Sequence, residues 1–350
     1  MGVFINLIRG SAKMVRKVTI KDVAALAQTS VTTVSLILNN KGERFSAETI
    51  ARVKAARERL QYEPDYFAQN MINKETKTIA VLVPDINNPF FSQFIQGVEE
   101  IAYQFDFIPL IYSAGAHNQK VDHYLKELVR RNVDGFILAV PHLQKTTLDS
   151  YLQKRQIPFI LLDQSDKQHA GDEITVADTQ GGELAARYLI ERGHHKVGIV
   201  LPEQRAWNIE QRFIGYQAAM LKAQLPVADE WQITTPLTKL GGYQVARQVI
   251  DSGVTAVFAI NDELAIGLIR GLRELRVQVP EDISVIGYDN IDWCEYVTPK
   301  LTTIKQPIFE LGQEATRLLL NRIVEPAIAP QQKVLSIELV ERESVQPIHP

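Results

Sequence analysis

Residues 18–40 read VTIKDVAALAQTSVTTVSLILNN. Thr19 and Asp22 have the spacing of a capping box, and Ile20, Val23, Ala24 and Ala27 follow at i, i+3, i+4 and i+7, which predicts a short first helix. After Gln28 and Thr29, Ser30 caps a second helix whose apolar positions are Val31, Val34 and Leu38, with Thr32, Thr33 and Ser35 polar, ending near Asn39 to Gly42. Ser46 caps a third helix that turns Ile50, Val53, Ala56 and Leu60 inward and leaves Arg52, Lys54, Arg57 and Arg59 for other faces. Two short helices across a tight turn suit the major groove of DNA. A three-helix cluster of this size also suits a protein-interaction module.

The charge around this stretch separates the two readings. The 350-residue chain has a formal net charge of −3, with 38 basic and 41 acidic residues. Of these, 13 basic and 7 acidic residues fall in residues 1–77, leaving 25 and 34 for residues 78–350. A basic segment of +6 thus precedes an acidic body of −9. A small basic module on an acidic body has the electrostatic form of a polyanion reader, because phosphate contacts and counterion release supply most non-specific affinity.

Tyr62-Glu63-Pro64-Asp65 is expected to stop the third helix, since Pro64 disfavours the α region for Glu63. Residues 66–72 form a segment too short to be stably helical alone, so it needs DNA or a partner helix to order it. Residues 73–78, NKETKT, read as a polar connection. At the other end, residues 1–13 have no basic n-region and no long apolar core, which is poor signal-peptide material, and Met14 is a plausible alternative start.

From Thr78 the chain alternates strand-like runs with amphipathic stretches: 79–83, 107–112, 135–140, 159–162, 197–201, 257–260 and 284–287. Such alternation predicts parallel sheets covered by helices, and its length fits two similar lobes. Ligands of such sheets bind outside the carboxyl ends of the strands. The groups that fall there are Asn87-Asn88-Pro89-Phe90-Phe91, Asp163, Arg212 at a helix opening, Asn261-Asp262, and Asp289. Aromatic faces and paired polar groups of this kind suit a sugar. Each also has a plain structural explanation. The Asn residues serve as turn and cap residues, Arg212 as a partner of Glu210, and the phenylalanines as core, although adjacent rings cannot both face one side of a regular element.

An enzyme is the competing class, and the sequence has no phosphate loop, dinucleotide loop, nucleophile elbow or HExxH motif to support it. Gly181-Gly182 reads as a close-packing or capping site, and His194-His195 as part of a loop before a strand, without metal-ligand spacing. No cofactor or metal is implied. The lone Cys294 has no disulfide partner in the chain, which fits a reducing cytoplasm. No apolar run approaches 18 residues.

The run 18–40 resembles the N-terminal signature of the lactose-repressor (LacI/GalR) family of bacterial transcription regulators, and the similarity extends to about Val345. The resemblance implies an all-α helix-turn-helix headpiece and a two-lobed α/β effector domain like that of periplasmic sugar-binding proteins. It places an extension at 1–17, the headpiece at 18–64, a hinge helix and linker at 65–77, and the effector and dimerisation domain at 78–345. The N-lobe is expected at 78–176 and 304–333, the C-lobe at 177–303 and 334–345, with crossings near Ala177, Thr303 and Lys333. It implies that Val31, Thr32 and Leu36 read base edges, with Thr19, Ser30, Thr33, Ser35 and Asn39 also at the DNA, and that Met71 stands where the family wedges a Leu into the minor groove. Leu36 replaces a frequent Arg or His, and Gln28 the usual Gly or Asn of the turn. In the body, Asn88, Phe90, Phe91, Asp163, Arg212, Asn261, Asp289 and Gln306 resemble the ligand set of ribose-binding proteins and ribose-regulating members of the family, with Asn208 added. Gln164 replaces a second Arg, and Leu237 a common aromatic. The resemblance implies a cytoplasmic homodimeric repressor whose grip on a pseudo-palindromic operator is switched by a small sugar, with a pentose such as ribose leading and a different mono- or disaccharide, or a phosphorylated sugar, next. A carbohydrate-binding protein or enzyme without operator binding remains the alternative.

Overall fold

The computed structural model describes residues 18–39, 41–63, 76–115, 118–141, 143–163 and 171–348. It divides into two units, one ending at Thr76 and one beginning at Lys77.

Among its described residues the first unit has three helices: α1 (Ile20–Leu26), α2 (Val31–Leu38) and α3 (Ala47–Arg59). The Asp22 carboxylate accepts the Thr19 amide at 2.8 Å and its hydroxyl at 2.7 Å. Ser30 accepts from the Thr33 amide at 3.0 Å and Ser46 from the Thr49 amide at 3.2 Å. Each helix start thus satisfies otherwise orphaned donors as its sequence predicts. Val23, Ala24, Ala27, Val34, Ile37, Val53, Ala56 and Tyr62 form the core. Val31, read above as one of the second helix's apolar positions, is instead exposed, because Val34 and Ile37 occupy the inward face. The third helix also stops earlier than Pro64: Gln61 turns left-handed at φ 48° and the Tyr62 amide closes onto the Arg57 carbonyl at 3.0 Å.

The second unit contains β1 (Thr78–Val83), α4 (Pro89–Gln104), β2 (Ile108–Ser113), α5 (Asn118–Arg130), β3 (Gly135–Leu138), α6 (Lys145–Tyr151), β4 (Phe159–Leu162) and β5 (Asp172–Val176). It continues with α7 (Asp178–Glu191), β6 (Val197–Leu201), α8 (Trp207–Lys222), β7 (Gln232–Thr234), α9 (Lys239–Gln244), α10 (Ala246–Asp251), β8 (Ala256–Ala259) and α11 (Asp262–Glu274). β9 (Ser284–Asp289), β10 (Thr302–Lys305), α12 (Ile308–Val324), β11 (Gln332–Leu335) and β12 (Glu338–Val340) complete it. Two six-stranded sheets result, ordered β11-β5-β4-β3-β1-β2 and β12-β10-β9-β8-β6-β7. Every described pairing is parallel except β10 with β12. Buried apolar side chains coat both faces of the sheets, as parallel strands require.

The chain passes between lobes three times: after β5, after β10 and after β11. Thr303 and Lys333, where two crossings were expected, lie inside β10 and β11, so the chain leaves each sheet a few residues later, once the strand is complete. In each lobe the sheet order reverses beside its first strand, between β1 and β3 and between β6 and β8. The loops at such a reversal diverge to opposite faces and leave a crevice at the strands' carboxyl ends.

Helix pairs meet at backbone contact. A Cβ on Gly182 of α7 would overlap the Arg212 carbonyl oxygen, and one on Gly215 of α8 the Thr179 carbonyl oxygen. The Gly181-Gly182 pair is therefore a packing device, and it fixes the helix that carries Arg212.

Candidate functional site

A cavity of ≈ 430 Å³ opens between the two lobes, lined from both sheets. That volume suits a small molecule. Its walls are the loops after β1, β3, β6, β7 and β8 together with the ends of β4 and β9.

On the N-lobe side, the Asn88 side chain accepts the Phe90 amide at 2.9 Å and caps α4, with Pro89 in its first turn. Phe90 and Phe91 then meet edge to face, with centroids 5.0 Å apart and planes at 81°. Both line the cavity. Successive residues on a helix stand 100° apart, so two neighbours at its open end reach one crevice, contrary to the expectation that they separate. Asp163 follows β4 directly at φ 52°, a left-handed backbone that its short polar side chain tolerates. Its carboxyl is pushed up to about 8, first by burial and then by Asp178, against the pull of Arg212.

On the C-lobe side, Arg212 sits in the second turn of α8 and not at its opening. Its Nε donates to Asp178 Oδ1 at 2.7 Å and its Nη1 to the Ile260 carbonyl at 3.0 Å. The guanidinium lies 3.8 Å from Asp289 and 3.8 Å from the centre of the Tyr288 ring. Glu210 pairs with Arg205 instead, at 3.1 Å. Burial opposes the charge on Arg212, but the acidic groups around it, Asp178 first, together outweigh burial and hold the guanidinium cationic. The Tyr288 hydroxyl donates to the same Asp178 oxygen at 3.1 Å. Asp289 ends β9 at φ 121° and accepts Gln306 Nε2 at 2.6 Å. Burial raises the Asp289 carboxyl well above the usual range, with Arg212 acting against it. Positive φ at both Asp163 and Asp289 is backbone strain of order ~1–3 kcal/mol each, held by the surrounding strands at the site itself.

Asn261 caps α11 through Leu264 at 3.0 Å and also lines the cavity, so its structural and candidate binding roles coexist. Asn208 and Leu237 line it too. Gln306 stands behind Asp289 and does not form the wall. Asp262 is turned away: it accepts from the Thr303 hydroxyl at 2.6 Å, the Ile291 amide at 2.9 Å and Cys294 Sγ at 3.2 Å. Gln164 lies outside the described residues. Asp178, Tyr288 and Trp207 were not singled out from the sequence. Asp178 is a carboxylate at the crossing expected near Ala177, the same strand-to-helix signal that marked the others.

In the headpiece, α2 has one free face. Val31 and Thr32 are exposed, Ser35 and Leu36 are half-buried beside them, and Val34 and Ile37 point to the core. Ser30 and Thr33 are joined at the helix start and Asn39 Nδ2 donates to Ser35 at 3.4 Å, so these four organise the helix ends. Gln28, at φ 52°, makes the turn between α1 and α2. Met71 lies outside the described residues. His194 is buried with Nδ1 at 3.0 Å from Thr255 Oγ1 and Nε2 at 3.0 Å from the Gln346 carbonyl, a loop anchor.

Residues 19–65 match the model of the bacterial regulatory proteins of the lacI family, and residues 186–345 a periplasmic binding protein-like domain. The ribose operon repressor of Escherichia coli K12 is 33% identical over 329 residues, covering 93% of this chain and 99% of that protein. The chain belongs to the LacI family. Among solved family members, a regulator from Enterococcus faecium with bound ribose is 44% identical, with a TM-score of 0.73 over 78% of this chain and 100% of that one. The lac repressor dimer bound to operator and an anti-inducer gives a TM-score of 0.84 at 26% identity, covering 95% of this chain and all of that one. Family relatives carry the names of transcriptional regulators. Among the described residues of this member, no helix is long and apolar enough to cross a membrane.

Proposed function

We propose that the protein is a cytoplasmic, homodimeric transcriptional repressor, without enzymatic activity, that binds a pseudo-palindromic operator and is switched by a monosaccharide, with ribose the leading effector. The observation that carries this is one crevice, at the sheet reversals of both lobes, where Arg212, Asp163, Asp289, Asn88 and Asn261 converge beside two phenylalanine rings. Polar groups that pair with hydroxyls and ring faces that cover C–H surfaces are what a small sugar needs. A ribose-bound relative at 44% identity supports the choice of sugar.

Residues 18–64 act as the headpiece, 65–77 as hinge and linker, and 78–345 as effector domain. Val31, Thr32 and Leu36 read bases by apolar and hydroxyl contacts, Leu36 against thymine methyls, while Thr19 and the α2 caps position the backbone. Met71 is the apolar wedge in the minor groove. Sugar draws the lobes together and so alters the spacing of the two hinges in the dimer. Coupling of this kind is worth about 1–3 kcal/mol, or roughly 5–150-fold in operator affinity.

Fluorescence anisotropy with a pseudo-palindromic DNA pool, at two salt concentrations with and without ribose, tests the whole reading. Salt-sensitive binding released by ribose is the expected result; absence of DNA binding in every condition overturns it.

A further inference from the structure

The cleft constrains the charge of whatever fills it, and this inference rests on the sugar-effector reading above. Among the described residues four buried side-chain oxygens lack a hydrogen-bond partner: Asp149 Oδ1, Asp163 Oδ1, Asp178 Oδ2 and Gln306 Oε1. Asp149 lies on α6, away from the cavity. Of the other three only Asp163 lines the cavity; Asp178 and Gln306 stand behind the wall, holding Arg212 and Asp289. All are acceptors. A buried acceptor left in this state costs free energy until a donor arrives, so the cleft is built to receive hydrogen-bond donors.

The supply of positive charge is small. Arg212 is the one cation lining the cavity among the described residues, and its charge is already shared with Asp178 and Asp289. The other ionisable groups on the wall, Asp85, Asp163, Glu263 and Asp289, are all acids. The α4 and α11 amino ends open on the cavity, but the Asn88 and Asn261 side chains cap them. The α8 end at Ala206 has no side-chain cap from its own N-cap residue and contributes roughly half a positive charge, far short of neutralising a phosphate.

We infer that the cleft takes an uncharged polyhydroxyl compound and excludes the phosphorylated form of the same sugar. A phosphate monoester brings about −1.5 to −2 charges and three acceptor oxygens. It would set its own acceptor oxygens against the carboxyl oxygens of the wall and add negative charge beside them. A sugar hydroxyl instead donates into the unpartnered Asp163 oxygen. The regulator therefore reports the sugar before phosphoryl transfer, and a kinase acting on that sugar ends the signal.

The test is isothermal titration of the full chain with ribose, ribose 5-phosphate and 5-O-methylribose, alongside glucose and fructose with their 6-phosphates. For ribose the phosphate is expected to bind at least a hundredfold more weakly than the parent, and at least tenfold more weakly than the methyl ether, which has bulk without charge. Asp163→Asn should narrow the phosphate gap. A phosphate that binds as tightly as its parent overturns the inference, and so does a gap no larger than the methyl ether's. If no sugar binds, the effector reading itself fails and the inference falls with it.

Discussion

Effector affinity should rise with pH through neutrality because of Asp163. Burial and the neighbouring Asp178 push this carboxyl up to about 8 in the empty cleft, with Arg212 acting against them. Two hydroxyls donating into both of its oxygens need the ionised form, so binding expels the proton. With a pKa of about 8, the ionised fraction grows from about 1% at pH 6 to one half at pH 8, which makes affinity about 50-fold higher at pH 8 if only that form binds. The neighbouring Asp178 on α7 is raised as well, chiefly by burial, but its bonds to Arg212 and Tyr288 keep it behind the wall and out of the ligand's reach. The sign also holds for stability. A carboxyl raised in the folded state binds more protons there than in the unfolded chain, so the unliganded body loses stability as pH rises from about 4 towards 8. Titration of ribose between pH 6 and 8, in two buffers of different ionisation heat, counts the protons released, with Asp163→Asn as the flat control. Affinity that is constant or falls with pH refutes the reasoning.

Four further outcomes follow from particular contacts. Gln28→Gly relieves the left-handed turn and should stabilise the headpiece by about 0.5–1 kcal/mol, read as a higher melting temperature. Leu36→Arg should change the preferred operator in a binding-site selection while leaving non-specific affinity nearly intact, since it alters a group on the free face of α2 that is proposed to read bases. Asp178→Ala strands the Arg212 guanidinium in a buried site, and denaturant unfolding should show a loss of about 3–5 kcal/mol in the body. Gly182→Ala places a methyl group on the Arg212 carbonyl oxygen, so thermal melting should show about 1–3 kcal/mol of destabilisation, with sugar affinity falling as Arg212 shifts.

Local signals carried much of this architecture. The three headpiece helices announce themselves through Ser30, Ser46 and the Thr19–Asp22 pair, because a cap bond spans only three residues. The strands 159–162 and 197–201 are legible as continuous apolar runs between turns. By contrast β5 begins with Asp172 and Glu173, which look like surface residues; only the fold brings Arg322 to Asp172, with two bonds of 2.8 Å. β11 and β12 are short polar strands at sheet edges, where one side lacks a neighbour and composition says little. In the site, the residue types at strand ends are visible in sequence, but the pairing of Arg212 with Asp178, 34 positions away, is not. The same holds for Gln306, whose position behind Asp289 and not on the wall depends on where the chain leaves β10. Val31 shows the opposite failure: an apolar residue within a helical pattern is assigned inward by default, and its exposure emerges only once Val34 and Ile37 fill the core.

The glycine contacts limit how the body can move. Gly182 meets α8 and Gly215 meets α7 at main-chain distance, and the same reciprocal arrangement recurs for Gly97 with Gly312 between α4 and α12, and for Gly242 with Gly267 between α9 and α11. Helices that touch through their main chains, with carbonyl oxygens seated where side chains would be, have no layer of adaptable side chains on which to slide. Shear between packed helices is thereby closed off inside each lobe. Opening and closing must be rotations of two stiff halves, with the whole change in backbone angle absorbed by the crossings around Ala177, Gln306-Pro307 and Ser336-Ile337. Such a body behaves as a lever: a displacement of a few tenths of an ångström at Arg212 is carried undamped to the far end of its lobe.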